Sequence, residues 1–435
     1  MNPEFQRQLI LEFSGTRLLA MPAFLAVIFS LTYLLDDRVF ADATANTAIG
    51  LYIAIVLFWG SKQASESIAD ELRNNTWDIQ KTSALSAWSL CWGKLFGSTL
   101  YNWYGGVLCL LMYSFASNNS ELLQLTWLYA PACGLLVQSF SLLISLFSLR
   151  RKQVINSGAN YMIALFSLFY LMPIMLNIDE LSHESIVWYG DSYNQAYFNL
   201  IALLISCGWI ITGIYRLLAD ELRIRSLPIV WSVFIVFLTI YISGFINAND
   251  LLNKSLPVII TMVGFAVCIV LSYVLMFVDI NSPMQFRKIA IYFQQQQWTR
   301  LLQEVPCWFV NIILALPMML ILTLLFPVES VENITLYPIV IFLLLLRDIA
   351  ILLFFSYAPN PKRALSITVL FLICLYGLLP AIFLNSGANI IALMFLPLLT
   401  LNTVLAIVIA GMQTTLIGFL LYHRWQNRVD LVETI

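Results

Sequence analysis

Charged and histidine side chains are scarce in this sequence. Only 11% of its 435 residues are Asp, Glu, Lys or Arg, against roughly a quarter in an ordinary soluble domain. The two histidines, His183 and His423, lie far apart and offer little material for a metal site or a proton relay. The seven cysteines stand singly, without a C-x-x-C pair, so neither a disulfide framework nor a zinc site is expected.

Motifs for nucleotide binding and catalysis are missing as well. The single Gly-Lys dipeptide, Gly93-Lys94, is followed by Leu and lacks the upstream glycine of a phosphate-binding loop. No G-x-S-x-G or H-E-x-x-H motif occurs, and no carboxylates cluster in the apolar runs. We therefore predict no catalytic residues, no metal site and no cofactor. The chain is not expected to be an enzyme, and any ATP hydrolysis is expected in a partner subunit.

Apolar residues are abundant and arranged in runs near twenty residues long. They make up 60% of the chain. This pattern predicts an all-α protein, a polytopic transmembrane helical bundle of about twelve spans whose direct partner is the lipid bilayer, with no nucleic-acid partner. The last run is long for one span, and Pro397 and Gly411 are expected to bend or break it. The predicted spans are 17–35, 46–60, 96–116, 124–149, 157–177, 195–215, 227–246, 255–279, 305–326, 335–357, 364–384 and 390–422.

The basic residues are sorted by side of the membrane. If the N-terminus is cytoplasmic and the spans alternate, only Arg38 and Lys254 fall in outer loops, and Arg347 falls in a span. The outer loops 36–43 and 179–191 are acidic instead. This bias predicts cytoplasmic N- and C-termini.

The residues before the first span predict an amphipathic helix at the membrane surface. Asn2 can cap it, Pro3 suits the first helical position, and Phe5, Leu9 and Phe13 recur every four residues. The first span resembles a signal peptide, but its apolar run is longer than a usual signal core. Segment 284–306 has the same polar, helix-like character. Thr-Arg-Leu-Leu occurs at 16–19 and at 299–302, which hints at an internal duplication, although only four predicted spans follow residue 284.

A long polar segment, residues 61–95, interrupts the apolar pattern early. Ala64, Ile68 and Leu72 recur at intervals of four and predict one apolar helical face, with charged residues on the other faces. Glu66 and Asp70 are like charges four residues apart, an unfavourable pair within an isolated helix, so the face suits contact with a partner. Asn74, Asn75 and Thr76 are expected to end the helix. The alternative is a solvated loop whose tryptophans rest at the headgroup level.

This order of elements resembles the ABC-2 type permeases, the membrane subunits of one class of ATP-binding cassette transporters. A surface helix beginning Asn-Pro-Glu is followed by two spans, an acidic cytoplasmic segment and then Gly-Lys-Leu before the third span. The resemblance is clearest over residues 1–115 and extends to about 215. The positions that match the family pattern of the segment are Glu71, Arg73, Thr76, Ser83, Ser86, Gly93, Lys94 and Leu95.

The resemblance implies a permease that moves a substrate across the plasma (bacterial inner) membrane with energy from a separate ATP-binding cassette ATPase subunit. Segment 61–95 would be the coupling segment that docks into that subunit. The residues expected at this interface are Glu66, Asp70, Glu71, Arg73, Trp77, Asp78 and Lys81.

The predicted span count departs from the family, whose members have six spans per chain and work as dimers. We interpret 1–215 as one six-span module and 216–435 as a second, with a degenerate copy of the first as one interpretation. The second module has no long charged loop to match 61–95, so one coupling segment per chain is expected. A homodimer or a heterodimer with another permease is compatible with this organisation.

One charged pair, Arg347 and Asp348, lies in the middle of a predicted span. Each charge costs roughly 2.5–3.5 kcal/mol at the centre of the membrane, so the pair is notable. It lines a solute path or gate, or it pairs with polar groups on adjacent spans, or the span is shifted so that both residues lie near an interface. Two other functions remain open for the whole chain: a membrane scaffold that transports nothing, and a secondary transporter.

Overall fold

The computed structural model divides into two compact units, Met1–Ser226 and Leu227–Ile435. Almost every described residue is helical, which confirms the predicted all-α, polytopic bundle. Among the residues that the structure describes, nine helices are long and apolar enough to cross a membrane. The structure describes residues 2–35, 42–82, 85–117, 120–150, 176–224, 227–246, 256–278, 282–325, 337–358, 363–399 and 402–433.

The count of about twelve spans stays a prediction. Predicted spans 96–116 and 227–246 coincide with shorter apolar helices, Leu100–Ala116 and Ile229–Ser243. Predicted span 157–177 lies outside the described residues except for its last two positions. The last predicted span, 390–422, is interrupted around Pro397 but continuous at Gly411.

The first unit contains ten helices and one β-hairpin among its described residues. A π-helical turn, Ile53–Trp59, joins helix Asp42–Tyr52 to helix Gly60–Arg73, and a second, Gly93–Gly97, follows helix Ala87–Trp92. The elements are α1 Pro3–Glu12, α2 Gly15–Leu35, α3 Asp42–Tyr52, α4 Gly60–Arg73, α5 Trp77–Thr82, α6 Ala87–Trp92, α7 Leu100–Ala116, α8 Ser120–Arg150, α9 Ile178–His183, β1 Ser185–Trp188, β2 Asp191–Asn194 and α10 Gln195–Glu221.

Local chemistry explains where several of these elements begin and turn. The Asn2 side chain accepts a hydrogen bond from the Glu4 amide, and Pro3 occupies the first position of α1, as the sequence predicts. The hairpin turns through Tyr189 and Gly190, both with positive φ, which matches the twist of a two-residue hairpin.

Apolar residues of α2, α3, α7, α8 and α10 form the core of the first unit. A smaller second cluster lies beneath the polar segment, where α4, α5 and α6 pack against α8 and α10. Ala64 and Ile68 of α4 are fully buried there. The residues of this second cluster include Ile68, Trp77, Leu90, Leu95, Leu142, Leu146, Ile214 and Leu218.

The second unit contains helices joined by turns, and no strand, among its described residues. Its main core lies between helices Leu256–Val278, Cys307–Leu325 and Tyr337–Ser356, and a smaller group joins the last of these to helix Thr403–Glu433. A π-helical turn, Cys374–Leu378, connects helix Ala364–Ile373 to helix Leu379–Asn385, and a 3-10 turn, Pro397–Leu399, precedes helix Thr403–Glu433. The helices are α11 Ile229–Ser243, α12 Leu256–Val278, α13 Pro283–Gln294, α14 Trp298–Glu304, α15 Cys307–Leu325, α16 Tyr337–Ser356, α17 Ala364–Ile373, α18 Leu379–Asn385, α19 Asn389–Phe395 and α20 Thr403–Glu433.

Candidate functional site

The polar segment 61–95 begins as the direct continuation of a membrane-spanning helix. Helix α3, the π-helical turn and α4 form one helical run, Asp42–Arg73, of 32 residues. At 1.5 Å per residue this run is about 48 Å long, whereas the hydrocarbon core of a bilayer is about 30 Å thick. The helix therefore projects several turns beyond the membrane, and α4 is the part that projects.

Helix α4 is held along its length by α8. The Ser141 hydroxyl donates a hydrogen bond to the Ser61 carbonyl at 2.6 Å, and the Ser145 hydroxyl donates one to the Ser65 carbonyl at 2.8 Å. Ala64 lies between these contacts and is completely buried. Small residues thus let α4 and α8 approach closely, and a displacement of α4 would be passed to α8.

Asn75 ends α4 through a Schellman motif. Its φ of 56° is left-handed, and its amide donates to the Leu72 carbonyl at 3.1 Å. The Thr76 amide donates to the Glu71 carbonyl at 2.9 Å. The predicted helix break at residues 74–76 is therefore present, and the chain reverses into α5.

A buried cluster of charged side chains joins the segment to the N-terminal helix. The Glu71 carboxylate accepts hydrogen bonds from the Lys94 ammonium, from the Gln80 amide at 2.5 Å and from the Arg7 guanidinium at 2.7 Å. Arg7 also pairs with Glu4 at 2.9 Å. Two cations and two carboxylates thus hold α1, α4, α5 and the Gly93–Gly97 turn together.

Lys94 is the most deeply buried member of this cluster. Its side chain is 0% exposed. Burial lowers the pKa of Lys94, and the neighbouring carboxylate of Glu71 opposes that shift. The ammonium also lies 5.3 Å from the centre of the Trp77 ring. A buried ammonium with one close carboxylate and an aromatic face is a fixed structural contact rather than a solvated charge.

Two glycines let α1 approach the start of the third predicted span. A Cβ atom at Gly93 would lie 2.6 Å from the Glu4 Cβ atom, and one at Gly97 would lie 2.9 Å from the Gln8 Cβ atom. The Asn2 side-chain nitrogen donates to the Ser89 carbonyl at 2.6 Å, and the Ser89 hydroxyl donates to the Asn2 side-chain oxygen at 2.7 Å. Helix α1 is therefore packed on the Gly93–Gly97 turn, while its predicted place at the membrane surface stays a prediction.

A polar cleft of about 670 Å³ opens beside this cluster. Its walls come from α1, the start of α2, α4 and the start of α7. Three cations and four carboxylates line it, so it carries no strong charge of either sign. Its charged lining residues are Arg7, Glu12, Arg17, Lys62, Glu66, Asp70 and Glu71.

The structure separates the predicted interface residues into a buried and an exposed set. Glu71 and Trp77 are buried, with 6% and 3% of their surface exposed, and therefore hold the segment together from inside. Lys81 is partly buried and pairs with Glu221 of α10 at 2.9 Å. Glu66 is partly buried beside Lys62, at 4.0 Å.

The remaining predicted residues form an exposed tip where α4 turns into α5. Asp70 and Arg73 are exposed and pair at 3.3 Å, and Asp78 is exposed. Ile79, which sequence reasoning missed, is 68% exposed beside them. An isolated apolar residue within a polar, Asp- and Lys-containing helix was the signal that could have identified it. Ser83, a position of the family pattern, lies outside the described residues.

The second predicted polar site, Arg347 and Asp348, is a buried network in the second unit. The Arg347 guanidinium pairs with the Asp348 carboxylate at 2.8 Å, and neither side chain is more than 2% exposed. The hydroxyls of Tyr273 and Tyr376 donate to the other Asp348 oxygen at 2.8 and 2.6 Å. Sequence reasoning missed both tyrosines, because they lie far away in the chain.

Arg347 extends this network to the interrupted helix near Pro397. Its guanidinium donates to the Gln413 amide oxygen at 2.6 Å, and the Gln413 amide nitrogen donates to the Met394 carbonyl. Groups on α12, the Cys374–Leu378 turn and α20 therefore bond to the charged pair, and Gln413 links it to α19. The arrangement matches the expectation that the pair bonds to polar groups on adjacent spans, and it leaves a role in a solute path as a prediction.

Comparison with known proteins gives one match. A family model described as ABC-2 family transporter protein matches residues 27–248, slightly more than half of the chain. The matched range includes α3, the whole polar segment and α10. Searches of curated proteins and of solved structures find no match.

Proposed function

The chain belongs to the ABC-2 family of transporter proteins, and we propose that a separate ATP-binding cassette ATPase subunit drives it by docking on segment 61–95. The family match and the apolar helices establish a membrane-embedded, multi-pass transport protein in general terms. The ATPase contact, the residues that make it and the membrane in which it works are the proposal. We place the protein in the plasma membrane, or the inner membrane of a bacterium.

The observation that carries this proposal is the single helical run Asp42–Arg73. A docking surface at its end is covalently continuous with a membrane-spanning helix. Because α4 is rigidly packed against α8, a push on its tip is not absorbed by a flexible hinge. This arrangement suits the conversion of ATPase movement into tilting of the spans.

The buried charge cluster is a second observation that supports the same role. Glu71 and Lys94 lock the far end of α4 to the start of the third predicted span. Lys81 links α5 to Glu221 at the end of α10. The tip is therefore connected to α1, α8, α10 and the Gly93–Gly97 turn of the first unit, so its displacement would move them together.

We assign the direct contact to the exposed tip, Asp70, Arg73, Asp78 and Ile79. An apolar side chain surrounded by charged ones matches the usual anatomy of a transient interface, with an apolar centre and a polar rim. Glu71 and Trp77 are assigned to support rather than to contact, because they are buried in the unit.

The test is co-purification of the full chain with its ATPase from native membranes in mild detergent. We expect Ile79→Asp and Asp78→Lys each to reduce the recovered ATPase at least tenfold, a loss typical of a central interface residue. The matched control is Arg363→Asp, a charge change at an exposed position in the second unit. It should leave recovery unchanged.

The outcome also separates the transporter from the scaffold. A transporter requires that loss of the ATPase abolish substrate movement and coupled ATP hydrolysis together. Recovery of no ATPase from the wild-type chain, or equal recovery from wild type and Ile79→Asp, would refute docking at the tip. An ATPase that binds but hydrolyses ATP at a rate independent of this chain would favour a scaffold.

A further inference from the structure

Two short helices of the second unit, α13 and α14, have no buried residue. They connect α12 to α15, and both of these helices are long and apolar enough to cross a membrane. Because α12 and α15 are consecutive candidate spans, the chain between them leaves and re-enters the bilayer on the same side. Helices α13 and α14 therefore lie where the hydrocarbon core meets the headgroups.

One face of α13 has an apolar centre flanked by cations. At 100° per residue, Met284 and Ile291 lie within about 20° of each other. Arg287 lies about 60° from Met284 on one side, and Lys288 about 40° on the other. Met284 and Ile291 are 38% and 39% exposed. Long basic side chains beside an apolar stripe suit a helix whose apolar face enters the headgroup region.

The junction of α13 and α14 continues this surface. Gln296 has a φ of 54°, and the turn places the rings of Phe293 and Trp298 edge to face at 5.7 Å. Both rings are more than half exposed, and Arg300 follows on α14. Tryptophan beside arginine is typical of the membrane interface, where an aromatic ring and a cation meet the headgroups.

The base of the helix pair is fixed, so the surface keeps its orientation. The side-chain amide of Gln285 donates to the backbone carbonyl of Glu304 at 2.8 Å and ties α13 to the end of α14. The Trp425 indole donates to the Pro283 carbonyl at 3.2 Å, and the Phe286 ring packs on Trp308. These contacts hold the first turn of α13.

Helix α1 of the first unit resembles α13 in sequence, but one face of α1 is covered by a neighbouring element. Helices α1 and α13 both begin with a capping side chain and Pro at the first position, and both precede a Thr-Arg-Leu-Leu sequence. The face of α1 is covered by the Gly93–Gly97 turn of the coupling segment. No residue of α13 is covered to that degree by the described part of the second unit.

We propose that α13 and α14 are a binding surface for the anionic headgroups of the adjacent membrane leaflet. Residues 283–304 contain three cations, Arg287, Lys288 and Arg300, against the single carboxylate of Glu304. An anionic leaflet attracts such a segment, and each cation near the surface strengthens binding about fivefold. The apolar and aromatic residues supply the part of the contact that does not depend on the charge of the lipid headgroups.

The test is hydrogen–deuterium exchange of the full-length protein in two kinds of nanodisc. One contains phosphatidylcholine alone, and the other contains equal parts of phosphatidylcholine and phosphatidylglycerol. We expect the amides of residues 286–304 to exchange more slowly in the anionic discs. Arg287→Gln with Lys288→Gln should reduce that lipid-dependent protection by up to about 25-fold, the product of two fivefold contributions.

The matched control removes two cations elsewhere, Arg223→Gln with Arg363→Gln. It lowers the net charge by the same amount and should keep the lipid-dependent protection. Equal exchange in the two lipids, or an equal loss in the control, would overturn the proposal. Protection that appears only when a protein partner is added, whatever the lipid, would also overturn it and assign the surface to that partner.

Discussion

At the scale of single residues, the buried pair of Glu71 and Lys94 determines how the coupling segment is held. We expect Lys94→Met to lower the free energy of unfolding by about 3–5 kcal/mol, because it leaves a buried carboxylate without its closest cation. The double variant Glu71→Leu with Lys94→Met should recover most of this loss, since Arg7 keeps Glu4 as a partner and is partly exposed. The thermal unfolding midpoint of the purified protein measures both effects.

Lys62→Met is the control for this prediction. Lys62 is more than half exposed, and its ion pair with Glu66 is long, at 4.0 Å. Its removal should therefore change stability by less than about 1 kcal/mol. A double variant less stable than Lys94→Met alone would contradict the assignment of the pair as the main support of the segment.

The residue scale also shows what the sequence could and could not predict about the sites. The charges of α4 were visible in the sequence, but the burial of Glu71 depends on Arg7 and Lys94, which approach only after folding. Arg347 and Asp348 project about 100° apart on a helix, so their pairing could not be assumed from their adjacency. The arginine side chain is long and flexible enough to turn back onto its neighbour, and this is the contact that forms.

At the scale of elements, the close packing of α1 on the Gly93–Gly97 turn can be tested directly. Gly93→Ala places a methyl group where the Glu4 side chain now lies, so α1 must move away. We expect the amides of residues 4–12 to exchange with deuterium at least tenfold faster, because α1 loses its tight contact. Gly208→Ala is the control, since a Cβ atom there meets nothing within 4 Å.

The Gly208→Ala control is expected to raise stability slightly and not to lower it. Alanine is the better helix former, so Gly208→Ala should leave α1 unchanged and stabilise α10 slightly. If Gly93→Ala leaves the exchange of α1 unchanged as well, the N-terminal helix is not anchored by this contact, and Glu4 and Arg7 lose their assigned role in the cluster.

Elements were predicted well where a local signal exists. The cap of α1 follows from the Asn2 side chain, which accepts a hydrogen bond from a nearby backbone amide, and the end of α4 follows from Asn75, a residue type that tolerates the left-handed backbone of a Schellman motif. The continuity of Asp42–Arg73 was missed, because the change from apolar to polar composition near Gly60 indicates a boundary between environments rather than a boundary of the helix. Residues 61–73 contain neither Gly nor Pro, so nothing in them stops the helix.

At the scale of the whole molecule, apolar composition predicted the fold class because a chain in lipid must satisfy its backbone within helices. The number of spans depends on details that composition does not carry. Helix α11 is short, and the predicted last span is divided by the turn around Pro397. The division into modules at 215 and 216 stays a prediction, and the structure divides the chain at Ser226.

The number of ATPase subunits per chain tests the organisation of the whole protein. The first unit has the 35-residue segment 61–95 between its second and third predicted spans, whereas the corresponding segment of the second module, residues 280–304, contains α13 and α14. These two helices contain one carboxylate, Glu304, and we assign them to the membrane surface, so we do not expect them to reach into a groove on an ATPase. The seven residues 357–363 between α16 and α17 are too few for a helix, a turn and a second helix. We therefore expect one ATPase subunit for each chain, whether the chain acts alone or as a dimer. Native mass spectrometry of the complex measures this ratio directly, and Ile79→Asp should remove the ATPase completely while Arg363→Asp retains it. Two ATPase subunits per chain, or one that persists in the Ile79→Asp variant, would show that a second docking surface exists outside segment 61–95, and the second unit would then be a functional copy rather than a degenerate one.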